Sequence, residues 1–358
     1  MKDYSIDRKY AVLMQADSSF GGQPKFKKDG YWYKYNMTGN EGLAEQLVTD
    51  VLSCSSLTDY VSYEYCKING KLGCRSNDML REGEALLPFS QLYTNVTGRI
   101  LIEDVNSLEE SERFDFIVDF IKKETGVDCS KYLFDNLTLD MLTRNPDRHF
   151  KNLALIMDIN DDFRTAPIFD NGQGLMQNFT ITPPDLTNEE KDDICFSCTI
   201  SGSFEKQFLL AKESTGYEPF KIDYDKLSLL LDKYPDSIAK KYLEYSLDKY
   251  KNIFMQNKEI DNIDKNTTSF TIPASTKVVK NQTFSNCENL KYIKLECDLD
   301  ALESIHVFDY CPDDMQIELK DGTLVTIDKF EEMLEQNNKE INKVPDAVDA
   351  FEDEEFDR

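Results

Sequence analysis

Histidine is nearly missing from this chain: His149 and His306 are the only two among 358 residues. A histidine-built metal centre or a serine–histidine–aspartate hydrolase therefore has almost no material to work with. No apolar run approaches the 18–20 residues that a membrane helix needs, so no membrane partner is expected. The opening Met1-Lys2-Asp3-Tyr4-Ser5-Ile6-Asp7-Arg8 holds no hydrophobic stretch of the signal-peptide kind. Positive charge is also short, with 41 Lys and Arg against 67 Asp and Glu, a formal net charge of −26. Residues 347–358 contribute −5 of this, and the remaining chain carries −21. Nonspecific nucleic-acid binding needs clustered cations to neutralise phosphates, so no direct nucleic-acid contact is expected. The nine cysteines are odd in number and lack framework spacing, which fits a reducing, cytoplasmic compartment. Cys195-Phe196-Ser197-Cys198 is one C-x-x-C pair, but no second pair completes a zinc site.

What is present is concentrated between residues 145 and 172. Asn145-Pro146-Asp147-Arg148-His149-Phe150-Lys151-Asn152 is followed by the strand-like Leu153-Ala154-Leu155-Ile156 and then by Ile168-Phe169-Asp170-Asn171-Gly172. Either half alone is ordinary turn chemistry. Together they give an Asp, an Asn five residues on, a short hairpin and an Asp-x-Gly, the order used for phosphoryl transfer in kinase-like folds. Asp147 is the candidate to orient and deprotonate a hydroxyl. Asn152 and Asp170 supply hard oxygens of the kind that bind Mg²⁺.

Asn145-x-Asp147-Arg148-His149-x-x-Asn152, with Ala166-Pro167-Ile168-Phe169-Asp170-Asn171-Gly172, resembles the HipA-like serine/threonine kinases. The resemblance spans roughly residues 8–255 and is most specific over 141–175. It implies an α+β, bilobal, protein-kinase-like fold with a small β-rich lobe and a large helical lobe. It further implies ATP and Mg²⁺ as cofactors, a protein substrate phosphorylated on serine or threonine, and an antitoxin-like partner. Asp-Arg-His-x-x-Asn also occurs in phosphoinositide-type kinases, which keeps a lipid or small-molecule acceptor open. An inactive, kinase-like binding scaffold is the third reading.

Candidates for the remaining kinase parts occur in order. Ser18-Ser19-Phe20-Gly21-Gly22-Gln23-Pro24-Lys25 resembles the Gly-Gly-x-Gln-Pro-Lys phosphate loop of that family, shortened by one residue. Paired glycines such as Gly21 and Gly22 let backbone N–H groups approach phosphate oxygens. The resemblance also implies self-regulation by phosphorylation of this loop, at Ser18 or Ser19. Tyr31-Trp32-Tyr33-Lys34-Tyr35 is strand-like and offers Lys34 as the lysine that contacts the phosphates, with Lys25 as the competing cation. Leu43, Leu47 and Val51, with Ala44, Val48 and Leu52, recur at helical spacing. Glu45 beside these stripes is the candidate to pair with Lys34, and Glu41 is the alternative.

The layout expected along the chain has a small lobe over 8–100, a large lobe over 101–256, a repeat-like segment over 266–320 and a disordered acidic tail over 336–358. Strands are expected over 9–16, 25–28 and 31–37, with a helix near 41–54. Asn69-Gly70 is a strong hairpin signal between two further strands. The inter-lobe connection and adenine pocket are expected within 83–100. Helices near 107–125 and from Asn136 to Arg144 lead into the catalytic loop. Strands near 153–158 and 166–169 deliver Asp170. A polar stretch, 177–200, follows, and then helices near 204–213, 224–233 and 236–255. Beyond 257, Ile272-Pro273, Phe284, Asn286-Cys287 and Leu290-Lys291-Tyr292-Ile293 resemble a leucine-rich repeat of the BspA type. Phe308-Asp309-Tyr310-Cys311 echoes Phe284-Ser285-Asn286-Cys287 with the cysteines 24 apart. One or two repeats cannot bury a core alone, so docking against the kinase-like part is expected. A last short helix is expected over 324–335.

Overall fold

The structure is a computed structural model, described here over residues 1–12, 25–255, 258–260, 263–274, 276–280 and 282–341. The chain divides into two compact units, Met1–Phe254 and Met255–Arg358, each with its own core.

The first unit opens with β1 (Asp3–Tyr4), β2 (Ala11–Val12), β3 (Lys25–Lys28) and β4 (Tyr31–Tyr35), then α1 (Glu41–Ser53), β5 (Tyr63–Ile68) and β6 (Lys71–Asn77). These strands form one sheet in the order β1-β5-β6-β4-β3-β2, antiparallel except for β1 beside β5. Two tight turns set its register. Asp29 and Gly30 (φ 52° and 78°) join β3 to β4, and Asn69 and Gly70 (φ 50° and 78°) join β5 to β6. Left-handed backbone at both central residues matches the right-handed twist of the flanking strands. β4 divides its side chains by parity: Trp32 and Lys34 line a cleft, whereas Tyr31, Tyr33 and Tyr35 join Ile6, Phe26, Cys66 and Ile68 in a small separate core.

Helix α1 lies against β5 and β6 and buries Leu43, Ala44, Leu47, Val48, Val51 and Leu52. Each large apolar side chain buried in this way contributes about 1.5–3 kcal/mol. Two polar side chains tie the same helix to the sheet: Thr49 Oγ1 and Gln46 Oε1 accept from the backbone N–H groups of Tyr63 (3.0 Å) and Tyr65 (3.1 Å).

The unit continues through β7 (Ala85–Pro88), α2 (Phe89–Thr97), α3 (Leu101–Asn106), α4 (Glu110–Thr125), α5 (Ser130–Thr143), β8 (Ala154–Met157) and β9 (Phe163–Thr165). It ends with α6 (Asn188–Ile194), α7 (Phe204–Thr215), α8 (Tyr224–Leu231), α9 (Ile238–Lys249) and α10 (Lys251–Phe254). Strands β7, β8 and β9 form a second, antiparallel sheet. Helix α5 packs against α7 and α9 and is buried from Leu133 through Thr143, polar residues included. Thr138 and Thr143 satisfy their hydroxyls on the carbonyls four residues back, the bonding expected of threonine inside a helix.

Several elements differ from the sequence expectation. Helix α5 starts at Ser130 rather than Asn136, and the Asp128 carboxylate just before it accepts from the Ser130 N–H (3.1 Å). Residues 166–169 are not a strand. Ile168 is instead bonded through both its N–H and C=O to Asp59 and Val61, in an isolated bridge. The polar stretch 177–200 contains α6, started by a Thr187–Glu190 capping box. Residues 78–84 join β6 to β7, and β7 pairs with β8 from Ala85.

The second unit pairs β10 (Lys258–Ile260) with β12 (Thr276–Val279). A second sheet runs β11 (Ser269–Ile272), β13 (Tyr292–Leu295), β14 (Gln316–Glu318) and β15 (Leu324–Thr326), parallel except for the last pair. The segments at 284–287 and 308–311 lie side by side, with Phe284 N–H on Val307 O (3.0 Å) and Asn286 N–H on Asp309 O (2.9 Å). Phe284 packs between Phe270 and Phe308 at centroid distances of 5.4 and 5.2 Å. Helix α11 (Ile327–Ile341) closes this core with Phe330 and Leu334. It runs past residue 335, so 336–341 are helical rather than part of a disordered tail; 342–358 lie outside the described residues.

Candidate active site

The loop that follows α5 is fixed at its entrance. Arg144, at the helix C-terminus, is left-handed (φ 49°) and buried. Its guanidinium donates to Asp192 (3.0 Å), Glu205 (3.0 Å) and the Tyr250 hydroxyl (2.8 Å), which joins α5 to α6, α7 and the end of α9. From there the loop bonds to itself. Asn145 Oδ1 accepts from the Asp147 N–H (3.2 Å), and the Asp147 carbonyl accepts from Asn152 Nδ2 (2.9 Å). The Asp147 side chain is 51% exposed and lies 3.7 Å from His149 Nε2. Partial burial raises its pKa and Asp170 adds to the rise, while His149, Arg148 and Lys25 oppose it. Because Asn152 spends its amino group on the loop, its Oδ1 is left buried with no hydrogen-bond partner among the described residues. Cys195 and Cys198 donate their thiols to the carbonyls of Arg144 (3.7 Å) and Pro146 (3.2 Å), packing the C-x-x-C pair along the loop.

Asp170 is held from three sides. Its backbone is left-handed (φ 60°), a conformation that aspartate tolerates better than most non-glycine residues. The Tyr63 hydroxyl accepts from its N–H (3.2 Å), and Lys34 Nζ donates to its Oδ1 (2.7 Å). Arg148 braces the residues on either side, donating to Phe169 O (2.8 Å) and to Asn171 Oδ1. Arg148 in turn forms a bidentate pair with Asp140 of α5, both side chains essentially inaccessible. Burial pushes the Asp140 carboxyl up to about 6, more than the guanidinium pulls it down. Sequence reading missed Asp140, Tyr63 and the brace role of Arg148. A charged residue inside the apolar run Leu139-Asp140-Met141-Leu142 is the one signal that could have pointed to the pair.

Lys34 is placed by β4 and Glu45 by α1. Their side chains approach to 3.7 Å, and Glu45 Oε2 also accepts from the Asn171 N–H (3.0 Å). The Lys34 ammonium sits 5.3 Å from the Tyr63 ring centroid. Burial would lower the Lys34 pKa, but Asp170, Tyr63 and Glu45 outweigh it and raise it. Burial pushes Glu45 up to about 7 against the pull of Lys34. Glu41, the alternative partner, is used elsewhere: its carboxylate accepts from the backbone N–H groups of Met37 (3.0 Å) and Thr38 (2.5 Å). Lys25 lies directly across the β3–β4 ladder from Lys34 and is also buried. Burial, with Lys34 beside it, lowers its pKa to about 8. Gly21 and Gly22, with Ser18 and Ser19, lie outside the described residues.

Lys25, Lys34 and Tyr63 border a cleft. Val61, Leu80, Leu86 and Phe169 supply its apolar wall. Residues 77–80 line it together with Leu86, which falls within 83–100. Asp78 there is committed to Trp32 Nε1 (3.1 Å), Lys27 (2.7 Å) and the Leu80 N–H (3.2 Å). Among the described residues no group of three or more His, Cys, Asp or Glu is arranged to hold a metal, and no helix is long and apolar enough to cross a membrane. The donor set fits Mg²⁺ nonetheless, since that ion takes one or two protein oxygens and completes its shell with water and phosphate. The orphaned Asn152 Oδ1 and the Asp170 carboxylate are donors of that kind.

No protein-family model matches the chain, and no curated protein matches it. Among solved structures it is similar to the Helicobacter pylori proinflammatory kinase CtkA, at 17% identity and a TM-score of 0.46, over 65% of this chain and 90% of that one. It is also similar to a structure of the Shewanella oneidensis MR-1 toxin–antitoxin system HipA, HipB and its operator DNA, at 12% identity and a TM-score of 0.39, over 69% of this chain and 67% of that one.

Proposed function

We propose that the first unit is a Mg²⁺/ATP-dependent protein kinase of the HipA-like, bilobal plan that transfers the γ-phosphoryl group to serine or threonine. The observation that carries this reading is the meeting of Glu45 and Asp170 on Lys34, which itself lines a partly apolar cleft, with Asp147 near enough to feel the Asp170 charge. The apolar walls suit a nucleobase, and Lys25 and Lys34 suit the phosphates. Lys34 neutralises phosphate charge, with Glu45 holding the ammonium in place. Asp147 accepts the proton of the acceptor hydroxyl as that oxygen bonds to the γ-phosphorus and the bond to the β-phosphate oxygen breaks, releasing ADP. Asn152 and Asp170 would hold Mg²⁺, which when bound screens the phosphate charge. Positioning and charge neutralisation supply most of the acceleration in such a reaction. The half-exposed Asp147 carboxylate favours a macromolecular acceptor over an enclosed small molecule.

The motif resemblance extends the proposal to self-phosphorylation at Ser18 or Ser19, to an antitoxin-like partner and to a cytoplasmic location. We read residues 266–320 as leucine-rich-repeat-like, supported by the parallel β11-β13-β14 order and by left-handed Asn286 and Tyr310, which are equivalent in that alignment.

The test is incubation of the purified full chain with Mg²⁺ and γ-labelled ATP, followed by phosphosite mapping. Mg²⁺-dependent label on serine or threonine is the expected result. Tight Mg²⁺-dependent ATP binding without protein label would move the acceptor to lipids or small molecules. Absence of ATP binding would leave a scaffold.

A pH effect follows from Lys25. Its pKa is lowered to about 8, so it is charged below that pH and neutral above it. A polyanion binds the charged form better, so nucleotide affinity should weaken as pH rises through about 8. Titration of nucleotide binding from pH 7 to 9 should show this decline in the wild type and a flatter profile in Lys25→Met.

A further inference from the structure

The residues just beyond Asp170-Asn171-Gly172 hold on to both halves of the site. Leu175 and Met176 are consecutive, fully buried and both left-handed (φ 53° and 59°), a conformation that bulky residues adopt rarely and only under constraint. The Leu175 N–H donates to Thr143 O (2.6 Å), at the end of the helix that launches the Asp147 loop. Gln177, next in line and 2% exposed, turns the other way. Its Oε1 accepts from the Asn40 N–H (3.2 Å), and its Nε2 donates to Leu175 O (2.9 Å). The Phe179 N–H donates to Thr38 O (3.3 Å) beside it. Contact between the two segments is so close that a Cβ on Gly39 would lie 2.0 Å from the Gln177 carbonyl oxygen. Residues 38–40 lead directly into α1, which carries Glu45.

We infer that Gln177 is a positioning residue that straps the start of α1 to the segment after Asp170, so that Glu45 meets Lys34 only while the Asp147 loop is in place. The inference rests on the phosphotransferase reading above. Gln177 touches none of the reacting groups and acts through Glu45. The two bent residues before it reverse the chain so that its side chain reaches Asn40, while Leu175 keeps hold of Thr143. Each end of the strap thus belongs to a different half of the reaction: Thr143 to the acceptor loop, Asn40 to the lysine–glutamate pair.

The experiment is a double-mutant cycle on the full chain, with kcat and KM for ATP measured for wild type, Gln177→Met, Glu45→Gln and the double variant. Methionine keeps the volume of Gln177 and removes both hydrogen bonds. Gln177→Met should lower kcat roughly 10- to 100-fold, the scale of a small misplacement of reacting groups, with KM for ATP within about threefold of wild type. In the Glu45→Gln background the same change should cost less than about threefold, because the group it positions is already disabled. Gly39→Ala, which forces the strap off from the opposite side, should repeat the pattern and replaces Gln177→Met if that variant does not fold. A kcat within twofold of wild type in whichever variant folds, or an equal loss in both backgrounds, overturns the strap. A wild-type protein that transfers no phosphate overturns the reading beneath it instead.

Discussion

Asp147→Asn should lower kcat for phosphoryl transfer by about 10²- to 10⁴-fold, the range supplied by a positioned general base, while nucleotide affinity stays within about threefold of wild type. The structure gives this split a physical basis. The Asp147 carboxylate is half-exposed, whereas its backbone carries the loop's internal bonds. Asparagine preserves that backbone and removes only the proton acceptor. Paired measurements of nucleotide binding and of single-turnover transfer separate the two effects. If transfer persists at more than a tenth of the wild-type rate, Asp147 is not the base.

Arg148→Met should be the most destabilising single change near the site, at about 3–5 kcal/mol, because it strips a buried carboxylate of its partner. Asp140 would be left fully buried, and Phe169 O and Asn171 Oδ1 would each lose a donor. Replacing both members of the pair, as Arg148→Met with Asp140→Leu, should recover most of that loss, since an apolar pair of similar volume removes the stranded charge. Activity should not return with stability: the brace on either side of Asp170 is missing in the double variant as well. Denaturant unfolding of the first unit, followed alongside transfer assays, checks both halves. Equal recovery of stability and activity would mean that Arg148 serves packing alone.

The contrast between Asp147 and Arg148 also shows what a sequence can and cannot disclose. Asp147, Asn152 and Asp170 stand close together in the chain because one loop and one hairpin must present them, so their spacing is visible. Lys34 and Glu45 are legible at one remove, through a strand and a helix whose periodicities predict where their side chains point. Tyr63 and Gln177 leave no trace of this kind. Tyr63 meets Asp170 across 107 residues, and Gln177 meets Asn40 across 137, through contacts that no local pattern encodes. Leu86, Leu87 and Pro88 read as an apolar linker, yet they pair with Leu155 and its neighbours, and strand partners are a tertiary fact. The start of α5 differs, because Asp128, whose carboxylate accepts from the Ser130 N–H, is a local turn signal.

The alternation of side chains along β4 gives that strand two separate accounts to answer for. Its odd-numbered tyrosines belong to the small core, whereas Trp32 and Lys34 line the cleft. A deletion of one residue within the strand would exchange the two sets at a stroke, sending an ammonium into the tyrosine core and an aromatic ring into the cleft. Among descendants of this sequence, length changes inside β4 should therefore survive only in pairs, and single-residue drift should collect in the turns at either end.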